Sequence, residues 1–383
     1  MIVFFGARLF DGERFLDDHA LVVEDGAIRA LVDVAERPRG GEQVDLGGGI
    51  LAPGLVDWQV NGGGGVLFNA EPTVAGIAAI ARAHRRRGVT GFLPTVVTGA
   101  PDVLAAALAA AGEAERSVPG ALGIHVEGPF IDPRRAGVHP PQWIRPMREA
   151  NADALIEARA GAMVVTLAPA SAPLPLIARL ARAGIVVSLG HTDATAEEAA
   201  TVFEAGARTA THLFNAMSPL NARAPGVVGA ALADPRVVCG LIGDGEHVHP
   251  LACRAAIAAK GAGGIALVSD AMPPAAGGPD AFELQGRRIN RAGSKLVDEN
   301  GTLAGAAITL IDAVRFVATT LGLPLASALT MATLTPARLL GLDNRLGRLA
   351  PGFAANLVHC TGALDVRAVW MNGRALADDG EPR

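Results

Sequence analysis

The chain has 383 residues, half of them hydrophobic, and a formal net charge of −5. That length holds one large core plus a smaller module, or two ordinary domains, and the mild acidity with scattered arginines excludes a basic footprint for nucleic acid. No apolar run reaches membrane-span length and no secretory pattern precedes Arg8 and Asp11, so a cytoplasmic protein without membrane or nucleic-acid partners is expected.

In chain order, the first 50 residues carry short apolar strands at 2–5, 20–24 and 28–32, separated by turn signals at Asp11-Gly12 and Asp25-Gly26. Residues 47–65, GGGILAPGLVDWQVNGGGG, open a different regime. Strand-like runs recur at 55–60, 92–97, 122–127, 163–168, 185–189, 209–213, 237–242 and 265–269. Most are continuous apolar stretches bounded by Gly or Pro, as in parallel strands covered on both faces. Helical stretches such as 74–87, 102–116, 194–205 and 250–260 lie between them. Eight β/α units in series predict an α/β fold, a (β/α)8 TIM-like barrel, over an open doubly wound sheet. No GxGxxG follows the first strand to favour a dinucleotide fold. Residues 273–286, rich in Pro, Gly and Ala, read as a loop or lid above the barrel, and 308–321 and 324–340 as late helices. Strands at 356–359 and 366–371, with a turn at Asn372-Gly373, repeat the manner of the first 50 residues, so one small β module built from both ends is expected. Cys239, Cys253 and Cys360 form no CxxC pair and fit buried thiols in a reducing compartment.

A barrel of this kind carries its site at the C-terminal ends of its strands. The third predicted strand ends HVEGP, putting His125 and Glu127 on one face by their two-residue spacing. The fifth ends SLGHT with His191, and the sixth THLFNAM with His212 and Asn215. The seventh enters GDGEHVHP with Asp244, His247 and His249, and the eighth ends LVSDAM with Asp270. One histidine after an apolar strand is commonly structural, but five of eight strand ends carrying such groups converge on one spot. Glu127, His191 and His212 supply a carboxylate and two imidazoles, a set suited to Zn²⁺ with an open position for water. A metal-bound water is easily deprotonated, and Asp270 beside it can take that proton and return it to a leaving group; otherwise Asp270 caps the next loop. His125 reads as a supporting neighbour of Glu127. His139, in RRAGVHPPQ, sits in a loop over the mouth where it can polarise a carbonyl oxygen. Arg223, in PLNARAPG, sits in a loop that can bind an anion, although such arginines are commonly just solvated. His19, His84, His249 and His359 read as packing or surface residues.

HVEGPF, GHTDAT, THLFNAMSPL, DGEHVHP, LVSDAMPPAAG, DENGTLAG and MATLTPARLLGL resemble, in this order and from about residue 47 to about 373, the N-acetylglucosamine-6-phosphate deacetylase family of the amidohydrolase superfamily. The resemblance implies a catalytic barrel at 51–344 and a small β-sandwich from 1–50 and 345–383. It implies a homodimer that hydrolyses N-acetylglucosamine 6-phosphate to glucosamine 6-phosphate and acetate, with metal-bound hydroxide as the attacking group. It assigns Glu127, His191 and His212 to the metal, Asp270 to acid/base work and His139 to the acetyl carbonyl. Asn215, the Ala216 backbone and Arg223 would hold the phosphate, with Arg223 delivered from the neighbouring subunit. His247 and the backbone around Leu303, Ala304 and Gly305 would contact the sugar. N-acetylgalactosamine 6-phosphate is the alternative substrate. A non-catalytic sugar-phosphate-binding barrel would lack a ligand or the base, and all four residues are present.

Many amidohydrolases carry His-x-His at the end of the first strand and a lysine on the fourth. Here the first strand ends in Gln59 and Asn61, the fourth reads MVVTLAP, and the chain's lysines are Lys260 and Lys295. Amides are weaker ligands than imidazole. One divalent metal per subunit is therefore expected, Zn²⁺ suiting best with Fe²⁺, Co²⁺ or Mn²⁺ able to bind, while Gln59 and Asn61 hold water or support the ligands.

Overall fold

The computed structural model describes residues 1–377, 380 and 381. Its centre is a sheet of eight parallel strands paired in chain order. We label them β1 (Leu55–Val60), β2 (Val89–Val97), β3 (Gly123–Glu127), β4 (Ala162–Leu167), β5 (Val186–Leu189), β6 (Thr209–Ala210), β7 (Val238–Ile242) and β8 (Ile265–Val268). All eight fall on the predicted runs, because apolar stretches buried on both faces have no other comfortable place than a covered parallel sheet. The first and last strands meet at the rim, where Val60 bridges Ala271 and the Asn61 and Gly62 amides both donate to the Ala271 carbonyl, at 2.9 and 2.8 Å. The fold is a (β/α)8 barrel with helices around it, and Trp58 is fully buried inside it.

Both ends of the chain build two further sheets. One pairs 27–33, 19–24, 2–5 and 42–45; the other runs 374–375, 366–371, 357–360, 50–53, 8–10 and 15–16. Phe4, Leu9, Leu21, Leu51, Leu357 and Trp370 form a core of their own there, with Phe4 and Trp370 edge to face at 5.0 Å. Residues 378, 379, 382 and 383 of the predicted 345–383 segment lie outside the described residues.

The segment above the barrel is more ordered than its composition suggests. Only its first part is loop; at Ala281 a four-stranded antiparallel sheet begins, β9 (Ala281–Leu284), β10 (Arg287–Ala292), β11 (Lys295–Val297) and β12 (Leu303–Ala306). Its buried residues Leu284, Ile289 and Leu296 pack on Leu67, Val97 and Met272 of the barrel mouth. Strands of only three to six residues leave a weak signal in sequence. The predicted helix 324–340 is two, Leu325–Ala332 and Leu334–Leu339, broken where Thr333 turns its hydroxyl back to the Leu329 carbonyl at 2.7 Å. Likewise 308–321 is Leu310–Arg315 followed by one wide turn, Phe316–Thr320.

The glycines after β1 fit a crowded place. A Cβ on Gly63 would stand 2.4 Å from His84 Nε2, and that nitrogen donates to the Gly62 carbonyl at 2.9 Å. His84 is fully buried, so of the two readings offered by sequence it is packing. His359 is buried too, bonded to the Gly48 carbonyl, while His249 caps the helix Pro250–Lys260. Gly63→Ala is expected to cost about 1–3 kcal/mol through overpacking, read as a lowered urea midpoint; an unchanged midpoint would mean the loop yields freely.

Candidate active site

Glu127 closes β3, and His191, His212 and Asp270 stand just beyond β5, β6 and β8. The last three are non-glycine residues with φ of 47°, 31° and 48°. Left-handed backbone costs such residues of the order of 1 kcal/mol or more each. All three side chains nonetheless line one cavity at the barrel mouth, so the strain is held where the site is built.

The three predicted ligands converge. Glu127 Oε1 lies 3.1 Å from His191 Nε2 and 3.0 Å from His212 Nε2, and the two nitrogens are 3.2 Å apart. His191 Nδ1 donates to the Arg135 carbonyl at 2.9 Å, which leaves Nε2 as a lone pair facing the cluster. A carboxylate oxygen and imidazole nitrogens aimed at one point are chemically a divalent-cation donor set. Glu127, His139 and His191 also offer donor atoms all within 4.8 Å of one another, a looser set on the same spot. Burial works against a charged Glu127, but the His191 and His212 imidazoles beside it hold its carboxyl well below the ordinary range. Burial likewise opposes a charged His212, yet the Glu127 hydrogen bond and charge raise it. A cation bound among these atoms therefore competes with a proton on His212.

Gln59 and Asn61 point into the same cluster. Asn61 Nδ2 donates to Asp270 Oδ1 at 2.7 Å; Gln59 Nε2 donates to the same oxygen at 3.1 Å and reaches both Glu127 oxygens at 3.3 and 3.4 Å. The amides thus spend their N–H groups on two carboxylates. Burial, then the nearby Glu127 charge, raises the Asp270 carboxyl to about 6. His139 is buried at the mouth with Nδ1 2.7 Å from the Thr98 hydroxyl, and burial pushes its imidazole far toward the neutral form.

His125 differs from expectation. It hydrogen-bonds Thr95 at 3.2 Å and Thr166 at 2.7 Å, not Glu127, because its ring points down into the barrel, where Thr166, Thr211 and Ser188 continue the chain of hydroxyls. Burial lowers its imidazole to about 4.

Beside this layer, Asp57 is fully buried, its Oδ1 accepting the Gln59 and Ser269 amides at 3.3 Å each. Its Oδ2 has no hydrogen-bond partner among the described residues, and burial raises its carboxyl to about 7. Since the folded value lies above the unfolded one, the unfolded chain ionises first. Stability contributed by the proton is complete below about 4 and is lost as pH rises to about 7. Asp57→Asn is expected to remove this loss in metal-free protein. Its stability advantage over wild type should widen across that window, by up to about 4 kcal/mol, in urea titrations; a constant difference would refute it.

A cavity of about 470 Å³ opens over the cluster, a volume suited to a small ligand. His139, His247 and Asp270 line it, as do Asn215, Ala216, Leu303 and Gly305, whereas Ala304 is buried behind that wall and Arg223 is exposed outside it. His247 is gripped by Asp244 at 2.7 Å and reaches the Gly305 carbonyl at 3.2 Å. Arg134 and Arg135 also line the cavity, paired with Asp132 and Asp193. Sequence reasoning passed over both, although the doubled arginine stands in the same RRAGVHPPQ segment as His139.

Donors of this kind at the mouth of such a barrel define a metal-assisted hydrolytic enzyme. The chain belongs to the amidohydrolase family, whose model matches residues 50–376, and residues 1–51 match the NagA composite domain. It is 39% identical to the N-acetylgalactosamine-6-phosphate deacetylase of Shewanella sp. (strain ANA-3), across 98% of this chain and 96% of the relative. It is 35% identical to the N-acetylglucosamine-6-phosphate deacetylase of Haemophilus influenzae, across 94% and 95%. The crystal structure of N-acetylglucosamine-6-phosphate deacetylase from Pasteurella multocida superposes with a TM-score of 0.95 at 34% identity, covering 98% of this chain and all of that one.

Proposed function

We propose that this chain hydrolyses N-acetylglucosamine 6-phosphate to glucosamine 6-phosphate and acetate. The observation that carries the reading is the convergence of Glu127, His191 and His212 within 3.2 Å of one another beside Asp270, in a cavity of small-molecule size. A divalent cation held by those three residues supplies Lewis acidity toward water and toward the amide carbonyl. Asp270, held by Asn61 and Gln59, takes a proton from the attacking water and delivers it to the amine nitrogen as the C–N bond breaks. His139 donates a hydrogen bond to the acetyl oxygen as charge develops there.

Asn215 and the Ala216 backbone hold the phosphate with Arg223 of the partner subunit, and His247, Leu303, Ala304 and Gly305 surround the sugar. The exposed position of Arg223, three residues from exposed Leu220, supports its use across a homodimer. Gln59 and Asn61, spent on carboxylates, support a single metal per subunit, Zn²⁺ by its donor preference. The same reading divides the chain into a catalytic barrel at 51–344 and an end module at 1–50 with 345–383; the separate core at the chain ends supports such a division, with Leu51 and the strand Ile50–Pro53 falling on the end-module side. Buried free thiols support a cytoplasmic location.

A second reading is hydrolysis of N-acetylgalactosamine 6-phosphate, favoured by the 39% identity to the Shewanella N-acetylgalactosamine-6-phosphate deacetylase. Acetate release from both epimers, with elemental analysis of the protein, tests both. Higher kcat/KM on the gluco substrate is expected with one metal per chain. A galacto preference would select the second reading, acetate from neither would overturn the substrate class, and two firmly held metals would overturn the single site.

A further inference from the structure

Thr98 stands just past the end of β2, buried, and no role described above uses it. Its hydroxyl lies 2.7 Å from His139 Nδ1 and 3.5 Å from the Glu127 backbone carbonyl. A hydroxyl has one proton to donate, so these two acceptors compete for it. If Nδ1 receives it, the single proton of a neutral His139 sits on Nε2 and an N–H faces the cavity. If the Glu127 carbonyl receives it, His139 keeps its proton on Nδ1 and turns a bare lone pair inward. That second arrangement would make His139 a metal donor, which its position permits, since one of its ring nitrogens lies within 4.8 Å of donor atoms on Glu127 and His191.

The distances separate the two. The 2.7 Å contact is common to both, and they differ in where the hydroxyl proton goes: toward Nδ1 it makes a full hydrogen bond, whereas toward the Glu127 carbonyl it has only a 3.5 Å contact at the outer limit and a buried donor is left poorly satisfied. The threonine is also held in place. A Cβ on Gly128 would come within 2.2 Å of the Thr98 hydroxyl, so that glycine leaves room for it and backs it closely. The Thr98 carbonyl accepts Gln285 Nε2 at 2.7 Å, from the turn between β9 and β10. We propose that Thr98 is a positioning residue that fixes His139 as the Nε2–H tautomer, making His139 a donor to the substrate carbonyl instead of a further metal ligand. The assignment of the carbonyl rests on the deacetylase reading; the tautomer does not.

Two readouts test it on the full-length zinc-loaded protein. Ring ¹⁵N shifts of His139, identified by their loss in His139→Gln, are expected to report protonation at Nε2 in wild type and Thr98→Ser and its loss in Thr98→Val. In turnover, Thr98→Val is expected to lower kcat by about 10²-fold, the scale for a donor to a developing oxyanion. KM should stay within about 3-fold, because the donor acts in the transition state, and zinc per chain should not change. Thr98→Ser should recover kcat to within about 3-fold. Protonation of wild-type His139 on Nδ1 would overturn the proposal, as would Thr98→Val with near-wild-type kcat. If wild type shows Nε2–H but releases no acetate, the tautomer assignment stands and the deacetylase reading falls. Should Thr98→Val fail to fold, the wild-type and Thr98→Ser spectra still decide.

Discussion

Asp270→Asn is expected to lower kcat by about 10³-fold, within the range for a lost general acid–base group, while bound metal stays at the wild-type level. The amide keeps the shape and can still meet Asn61 and Gln59, but it neither accepts the water proton nor returns one to the amine. The pH profile sharpens the test. A general base works ionised, so kcat/KM should rise with pH through the Asp270 pKa and then level. Burial and Glu127 raise that carboxyl to about 6, and a cation bound beside it pulls the value lower. The acid limb is therefore expected at or below about 6 in wild type and absent in Asp270→Asn. Near-wild-type turnover in the variant would remove Asp270 from the chemistry, and an unchanged limb would place the base elsewhere.

Glu127→Gln should empty the site. The carboxylate is the only anionic member of the three-residue set and the group that both His191 and His212 face. Its neutral amide would leave two lone-pair nitrogens at 3.2 Å with no charge to favour a cation between them. Bound metal below about 0.1 per chain and a kcat loss of about 10³-fold or more are expected, the scale of losing metal-assisted catalysis. A thermal readout follows from linkage: zinc at a thousand times its Kd stabilises a folded protein by about 4 kcal/mol, so wild-type Tm should climb with zinc while the variant's stays flat. Full zinc occupancy with active Glu127→Gln would show that the metal is held by other residues.

The looser grouping with His139 bears on the same experiment. If His139 were a ligand in place of His212, His212→Ala would keep its zinc and His139→Ala would lose it. The 3.0–3.2 Å distances among Glu127, His191 and His212 favour the opposite order.

Some of this was written in short stretches of chain. Apolar runs bounded by Gly and Pro marked most of the eight barrel strands, since burial on both faces shows in local composition, and the β/α alternation placed the rest. Once the barrel was accepted, the residue at each strand end was placed at the mouth by topology alone, which is why Glu127, His191, His212 and Asp270 were legible. The sheet at 281–306 was not, because its strands are only three to six residues long and their buried Leu284, Ile289 and Leu296 find their partners in Leu67, Val97 and Met272, far away in sequence.

What stayed hidden depends on partners distant in sequence. Gln59 read only as a missing histidine; that its amide donates to Asp270, 211 residues away, and to Glu127 is a fact of barrel closure. The downward turn of His125 to Thr95 and Thr166, and the contact of Thr98 with His139, are of the same kind. Sequence by itself determined which residue types meet at the barrel mouth, because strand periodicity and chain order dictate it. Only the tertiary structure decided which atom of each faces which, because a hydrogen bond is directional over a few tenths of an ångström and no pattern along the chain encodes that.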